Sequence, residues 1–174
     1  MIACVDVDYR DRGAAAAGLW FSGWSASEEL HRAVCHVPEV AEYEPGAFYR
    51  RELPCLLGVL ALGPRPGVVV VDGYVWLGGG VPGLGGHLHE VFGGIVVGVA
   101  KTRFASANAI AVDRGGSRSP LYVTAAGVAA ETAAAWVSSM HGPYRVPTML
   151  KRVDALARSA SQVDEPCIFA GSGD

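Results

Sequence analysis

The strongest constraint on the fold of this 174-residue chain is the segment GVVVVDG at residues 67–73, in which four consecutive valines followed by Asp72 lie between two glycines. A short β-branched run between glycines is typical of a central strand that is buried on both faces of a sheet. Two further runs have the same character, GIVVGVAK at residues 94–101 and SPLYVTAA at residues 119–126. The second half of the chain is therefore expected to supply the centre of a sheet.

The first third of the chain predicts a meander of three antiparallel strands. Residues 2–9, IACVDVDY, are rich in β-branched side chains and read as the first strand. Residues 13–24, GAAAAGLWFSGW, are ambiguous because alanine favours helices, but they follow a turn signal and are expected to form the second strand. Residues 31–43 are expected to form the third strand and to end in a polar bend.

Helical patterns accompany the apolar runs. After Pro45 and Gly46, apolar residues recur at helical spacing with Pro54 inside the pattern, so a helix is expected to begin or kink near Pro54. Two further helices are predicted at residues 129–140 and 148–160. Because strands and helices alternate through the second half, its strands are expected to be parallel neighbours.

These patterns predict one α/β domain over residues 1–160 and a C-terminal tail at residues 161–174. The sheet is expected to be mixed, with the antiparallel meander followed by parallel strands and with helices on both faces. The composition, 51% hydrophobic and 18% charged, is that of a globular protein. No apolar run suits a membrane span and the first residues lack a signal-peptide pattern, so we expect a cytoplasmic protein without membrane contact.

Charge and motif content narrow the classes of function. The formal net charge of −3 argues against a strong non-specific nucleic-acid binder, but a metal-dependent nuclease fits because bound cations reverse the sign of an acidic site. The four cysteines form no CxxC pair, so a zinc site is not expected. The glycine-rich residues 78–86 lack the Lys-Ser/Thr of a phosphate-binding P-loop and are expected to form a flexible loop.

Three carboxylates are expected to meet at one edge of the sheet: Asp6, Glu52 and Asp72. Asp72 ends the buried run, where a carboxylate is costly to desolvate unless it is paired or holds a cation. The pattern is compatible with Mg²⁺, which takes oxygen ligands, or with Asp72 simply capping the Asp-Gly turn. Asp8 is expected to face away from Asp6. Of the two, Asp6 is preferred as the residue whose side chain points into the site. Lys101 ends another run and either holds a phosphate or is a solvated strand end.

Six motifs keep a fixed order along the chain. They are Asp6-Val7; Tyr43-Glu44-Pro45-Gly46-Ala47-Phe48 with Arg51-Glu52-Leu53-Pro54-Cys55-Leu56; Val71-Asp72-Gly73; Val97-Gly98-Val99-Ala100-Lys101; Pro120-Leu121-Tyr122-Val123 with Glu131-Thr132-Ala133; and Tyr144-Arg145-Val146-Pro147 with Asp154. In this order the set resembles the endonuclease V family from residue 3 to about residue 158.

The resemblance implies an RNase H-like fold and a nuclease that cuts DNA or RNA at the second phosphodiester bond 3′ of inosine, leaving 3′-hydroxyl and 5′-phosphate ends. It implies Mg²⁺, with Mn²⁺ as a substitute, at a catalytic site that comprises Asp6, Glu52 and Asp72 as metal ligands, supported by Asp154 and Lys101. It also implies contacts to nucleic acid from a strand-separating wedge and from basic residues, namely Tyr43, Pro45, Gly46, Lys101 and Arg145. A monomer is favoured.

The chain departs from the family where the base pocket is expected. The family's Asp-Gly-His-Gly-x-x-His-Pro segment reads Asp72-Gly73-Tyr74-Val75-Trp76-Leu77-Gly78-Gly79, so both histidines are replaced. Glu44 stands in the wedge where an apolar residue is usual. Glycines replace polar or larger pocket groups at Gly78, Gly79, Gly80 and Gly127. We therefore predict weak base discrimination; the alternative function is that of a non-enzymatic relative that binds nucleic acid or a protein partner.

Overall fold

The computed structural model describes residues 1–10, 13–38 and 49–160. In this part of the chain the strands are β1 (Ile2–Tyr9), β2 (Ala14–Phe21), β3 (His31–Val37), β4 (Val68–Asp72), β5 (Ile95–Ala100), β6 (Ile110–Val112) and β7 (Leu121–Ala126). The helices are α1 (Tyr49–Ala61), α2 (Leu84–Phe92), α3 (Ala130–Ser139) and α4 (Thr148–Ser159). The short strand β6 was not predicted from the sequence.

The strands form one mixed sheet in the order β3-β2-β1-β4-β5-β7-β6. β1, β2 and β3 are antiparallel, and β4 and β5 run parallel to β1, which confirms the predicted meander followed by parallel strands. β7 is antiparallel to β5, so the expectation of a parallel third run was wrong. A parallel neighbour needs a long crossover, usually a helix, whereas residues 101–120 contain β6 and turns.

The alanine-rich segment is a strand, as predicted, because of its place in the sheet. β2 lies between β1 and β3, and all eight of its residues are buried. Gly18 leaves room for the Trp20 ring, since a Cβ at this glycine would lie 2.7 Å from it. The Trp20 indole donates a hydrogen bond to the Pro64 carbonyl at 2.8 Å. Small residues are needed where helices cover both faces, so tertiary packing outweighs the helix preference of alanine.

Helices cover both faces of the sheet, as predicted. α1 and α2 pack on the face that carries Val69 and Val71, and α3 and α4 pack on the face that carries Val70. The alternation of side chains along each strand therefore feeds two separate cores. α1 begins five residues before Pro54, which is exposed within the helix.

The glycine-rich segment is a loop in its first half alone. α2 begins at Leu84, so the expectation of a flexible loop over residues 78–86 was wrong for its second half. Gly85 and Gly86 allow α2 to approach Val75, because a Cβ at either glycine would lie 2.8 Å from its side chain or 2.7 Å from its carbonyl oxygen. These glycines serve close packing of a helix.

The described elements all belong to this sheet and its two helical layers. No helix among the described residues has the length and apolar character that crossing a membrane requires. The tail predicted at residues 161–174 lies outside the described residues.

Candidate active site

Two acids lie side by side where β1 and β4 approach their carboxyl ends. Val5 pairs with Val71 in the parallel register, so Asp6 and Asp72 follow at the same level of the sheet edge. Both carboxylates belong to the face covered by α4, because side chains alternate along a strand. Asp6 and Asp72 line one small cavity together with Lys101. The structure thus brings these predicted site residues together.

Lys101 directly follows β5 and reaches back to Asp72. Its Nζ donates to Asp72 Oδ2 at 2.5 Å, and both side chains are more than a third exposed. An exposed ion pair of this kind contributes at most about 1 kcal/mol to stability, so either partner is free to exchange it. Burial works to lower the pKa of Lys101, but the hydrogen bond and charge of Asp72, with the charges of Asp6 and Asp154, outweigh burial and raise it. The lysine is therefore cationic at neutral pH.

Glu52 reaches the same edge from the opposite face of the sheet. It lies in the first turn of α1 and is half-buried. Burial, followed by the charges of Asp6 and Asp72, raises the pKa of Glu52 to about 8, while Arg51 acts to lower it. The three carboxylates thus share a field in which full ionisation is costly without a compensating positive charge.

Asp6 has a similar electrostatic environment. Burial raises its pKa to about 6, against a hydrogen bond from the Val7 N–H to Asp6 Oδ1 at 2.9 Å. Asp72 and Asp154 raise the pKa further, and Lys101 lowers it. Asp6 is therefore influenced by charged residues from three neighbouring elements: Asp72 of β4, Lys101 after β5 and Asp154 of α4.

Asp154 joins this group from α4. Arg158, one turn further along the helix, donates from Nε to Asp154 Oδ1 at 3.0 Å, and its Nη2 forms an ion pair with the same oxygen at 3.0 Å. The charge of Asp154 raises the pKa of both Asp6 and Lys101. Asp154 is thus electrostatically coupled to the site while its own carboxylate is paired.

The carboxylates supply the oxygen ligands that a hard divalent cation prefers. Among the described residues, no three His, Cys, Asp or Glu side chains converge closely enough to enclose an ion as they stand. Asp72 pairs with Lys101 and Asp154 with Arg158 in this arrangement. The donor set nevertheless fits a divalent cation in its chemistry, because such a charge would relieve the burial and repulsion that raise the pKa values of Asp6 and Glu52.

A cavity of about 280 Å³ opens beside Glu52 and Asp72. Its other lining residues are mostly aromatic or aliphatic: Tyr49, Gly73, Tyr74, Leu77, Pro82, Gly83 and Leu84. The Tyr49 ring stacks on His87 of α2 with centroids 3.6 Å apart, which fixes one wall. Apolar walls beside a few polar groups are typical of a small-ligand pocket.

Tyr74 lines this cavity, whereas in the sequence it is distinguished solely as a replacement for a family histidine. Its phenol donates to the Thr102 carbonyl at 2.7 Å and accepts from the Phe104 N–H at 2.9 Å. Tyr74 therefore ties the loop after Lys101 to the cavity wall. An aromatic residue after Asp-Gly was the one signal in the sequence, and the partners on a loop 28 to 30 residues away were not foreseeable.

The predicted contacts to nucleic acid fall into three groups. The wedge residues lie outside the described residues: Tyr43, Pro45 and Gly46. Lys101 is exposed at the rim of the site. Arg145 is half-buried, and its guanidinium donates to the carbonyls of Lys101 and Pro120.

Two expectations about this edge were wrong. Asp8 lies on the same face of β1 as Asp6, because strand residues two apart share a face, and it pairs with Arg10 at 3.5 Å. Gly127 lies beside Ile95 at the opposite edge of the sheet, because antiparallel β7 runs back towards the start of β5. Gly127 is therefore not part of the cavity wall.

The sheet order and the acids at its edge define an RNase H-like protein with a carboxylate site. Endonuclease V from Streptomyces avermitilis has a TM-score of 0.76 at 28% identity, covering 90% of this chain and 79% of its own. The catalytic domain of human Endonuclease V has a TM-score of 0.78 at 23% identity, covering 90% and 80%. Endonuclease V from Ciona intestinalis, in complex with a 24mer DNA containing an inosine followed by a ribo-adenosine, has a TM-score of 0.76 at 18% identity, covering 90% and 84%.

The family follows from the sequence comparisons. The family model of Endonuclease V matches residues 1–137. Endonuclease V of Streptomyces coelicolor is 34% identical in an alignment of 181 positions that covers 90% of this chain and 77% of that protein. Endonuclease V of Xanthomonas axonopodis pv. citri is 30% identical in an alignment of 196 positions that covers 98% of this chain and 82% of that protein. The chain belongs to the Endonuclease V family, which confirms the resemblance and supports a nuclease, a hydrolase that acts on nucleic acid.

Proposed function

We propose that this protein is a Mg²⁺-dependent endonuclease that cuts DNA or RNA at the second phosphodiester bond 3′ of inosine, with Mn²⁺ as an alternative cation. The observation that carries this proposal is the meeting of Asp6, Glu52, Asp72 and Lys101 beside the 280 Å³ cavity. Four different elements contribute these groups: β1, α1, β4 and the end of β5. Family membership supports the reaction type.

The carboxylates have the role of ligands in this proposal. Asp6, Glu52 and Asp72 would hold the cation, and Asp154 would support it through its charge. When bound, the divalent cation supplies a more acidic water and neutralises charge on the phosphate. Burial disfavours the charged forms of Asp6 and Glu52, and a cation between them would stabilise those charged forms more strongly in a medium of low dielectric than in water.

Lys101 would stabilise charge on the phosphate. Its ammonium group is cationic and already lies at the site, bound to Asp72. If Asp72 held the cation, the Lys101 ammonium group would be free to contact a non-bridging oxygen or the leaving oxygen of the phosphate. A positioned donor at the place where charge develops typically contributes about 10²- to 10³-fold to a rate.

The cavity would receive a base taken out of the stack. An enzyme that reads a base outside the duplex needs a snug pocket with stacking walls. Tyr49, Tyr74 and Leu77 provide such walls next to Glu52 and Asp72. The Ciona intestinalis relative, in complex with inosine-containing DNA, supports inosine as the first base to test.

A second function, binding of nucleic acid or of a protein partner without cleavage, is favoured by the ion pairs of the site. Lys101 pairs with Asp72 and Arg158 pairs with Asp154, so two of the site carboxylates are already engaged by basic side chains of the protein. The net charge of −3 then predicts weak and salt-sensitive binding to nucleic acid.

Cleavage assays separate the two functions. Single- and double-stranded DNA and RNA that contain inosine, uracil or no altered base are incubated with Mg²⁺, Mn²⁺ or a chelator. The proposal expects nicks 3′ of inosine that require the cation. The matched control is Glu28→Gln, an exposed acid in the loop between β2 and β3 at the opposite edge of the sheet, which should cleave like the wild type. Binding without cleavage of any substrate would establish the second function.

A further inference from the structure

A buried arginine holds the loop between α3 and α4, residues 140–147. Arg114, which follows β6, is 8% exposed. Its guanidinium donates to four carbonyls of this loop, those of Met140, Gly142, Tyr144 and Arg145. A buried guanidinium is costly unless oxygen atoms receive its hydrogens, so Arg114 and the loop conformation depend on each other.

The turn after Arg114 packs directly on the same loop. Gly115 has a φ of +60°, and a Cβ at this position would lie 2.5 Å from the Arg145 backbone nitrogen. Only glycine suits such a close approach in the left-handed region. The β6–β7 turn and the loop therefore form one packed unit.

Arg145 connects this unit to the active site. Its Nη2 donates to the Lys101 carbonyl and, at 2.9 Å, to the Pro120 carbonyl. The first of these acceptors is the backbone of the site lysine, and the second directly precedes β7. The guanidinium thus bridges two strand ends through the backbone.

We propose that Arg145, held in place by Arg114, is a positioning residue that fixes Lys101 and the start of α4 for catalysis rather than a phosphate-binding residue. This inference rests on the proposed nuclease function. The loop leads into α4, which begins at Thr148 and carries Asp154. The hydrogen bonds of Arg145, here called the Arg145 brace, therefore fix the positions of both Lys101 and Asp154. Both Arg145 and Asp154 lie beyond the residues that the family model matches.

Lysine substitution distinguishes a brace from a phosphate contact. Lysine keeps the positive charge but lacks the planar fork of donors that serves two carbonyls at once. A phosphate contact therefore tolerates Arg145→Lys, whereas a brace does not. A displacement of about 1 Å at a reacting group costs on the order of 10²-fold in rate.

The test combines single-turnover cleavage of an inosine-containing oligonucleotide at saturating protein with binding measured by anisotropy over a range of salt. We expect Arg145→Lys and Arg145→Ala to lower the rate about 10- to 100-fold and to leave the Kd and its salt slope unchanged. Arg32→Ala is the control, since Arg32 is an exposed arginine on β3, outside both the active site and the loop of residues 140–147, and it should keep the saturated rate. A wild-type rate for Arg145→Lys, or a slope reduced by about 0.9 in Arg145→Ala, would overturn the proposal.

Hydrogen–deuterium exchange tests the brace without catalysis. In Arg145→Lys, uptake should rise in residues 140–147 and 101–108 and stay unchanged in α1. Unchanged uptake in both segments would overturn the brace, and increased uptake throughout the protein would show a general stability role instead. If the wild type cleaves none of the substrates, the proposed function fails, while the exchange result still decides whether Arg145 braces Lys101.

Discussion

The two halves of the candidate site are built by different means. The acid half, formed by Asp6, Glu52, Asp72 and Lys101, depends on strand register and on the first turn of α1. The cavity half, formed by residues 73–84 and the loop of residues 101–108, depends on turns, on a stacked ring pair and on the Tyr74 tether. One half is carried by the buried sheet, and the other is carried by loops.

This difference predicts how each half responds to change. Adjacent carboxylates in the acid half store unfavourable energy, which the buried valines of β4 and β5 offset. Substitutions there should remove activity while keeping or increasing stability, as is common for charged active sites. Substitutions in the cavity half should change rate and specificity by smaller factors, because loops adjust.

The largest effect is expected in the acid half, for Asp72→Asn. The substitution keeps the size of the side chain but removes the charge that is shared by the proposed metal site and by Lys101. We expect cleavage with Mg²⁺ to fall by about 10³-fold or more, given that one lost electrostatic group costs up to about that factor. The same variant should bind Mn²⁺ more weakly by calorimetry.

The thermal midpoint of Asp72→Asn serves as the control for folding. Asp72 is exposed and its ion pair is worth little, so the midpoint should stay within a few degrees of the wild type. Cleavage at the wild-type rate in a folded Asp72→Asn protein would remove Asp72 from the catalytic site.

The contrast between the halves also explains what the sequence could predict. Asp72 was foreseeable because an acid that ends a valine run has to face an edge, and the parallel register then places Asp6 beside it. Tyr74 and Arg114 were not foreseeable, because their partners are backbone atoms of loops 26 to 31 residues further along the chain. The direction of β7 was missed because a continuous apolar run has the same pattern whether its neighbour is parallel or antiparallel.

The second prediction concerns the stability cost of Glu52. Its pKa rises from an ordinary 4.5 to about 8 in the folded protein, so the folded state holds the proton more tightly than the unfolded state. Stability from this group is present below pH 4.5 and is lost as pH rises through 8. Glu52→Gln cannot ionise, so it should match the wild type near pH 4 and exceed it at pH 9 by about 2 kcal/mol, a value reduced for partial exposure.

Urea unfolding at both pH values measures this difference. Glu28→Gln removes an exposed acid from the far edge of the sheet and should show no such dependence on pH. If Glu52→Gln and wild type have the same free energy of unfolding at pH 9, Glu52 is not held in the shared field of the acid half.

The third prediction moves to the cavity half, where Tyr74→Phe removes two hydrogen bonds. The Thr102 carbonyl and the Phe104 N–H lose their partner, which loosens the loop directly after Lys101. The looser loop should lower the cleavage rate about tenfold. Because the Thr102 carbonyl and the Phe104 N–H lie near solvent, water can replace the lost hydrogen bonds, and the thermal midpoint should change little. Tyr144→Phe, at a side chain that is 63% exposed, is the matched control and should retain its rate. An unchanged rate in Tyr74→Phe would show that the tether has no part in the reaction.

The smallest effect expected is the discrimination between inosine and adenine. The described cavity wall offers shape through Tyr49, Leu77 and Leu84, but the Tyr74 phenol is already engaged with the neighbouring loop. The glycines at 78–80 form the turn after Leu77 and are not among the residues that line the cavity, so they provide no side chain that could contact the base. A pocket that recognises mainly shape separates close analogues by about 10- to 100-fold, whereas one built around hydrogen bonds reaches about 10⁴-fold or more. We therefore expect the ratio of cleavage rates on matched inosine and adenine oligonucleotides to lie near tenfold. A ratio near 10⁴ would mean that backbone groups of the cavity half recognise the base through hydrogen bonds. The loops of the cavity half would then position their groups as accurately as the sheet positions those of the acid half.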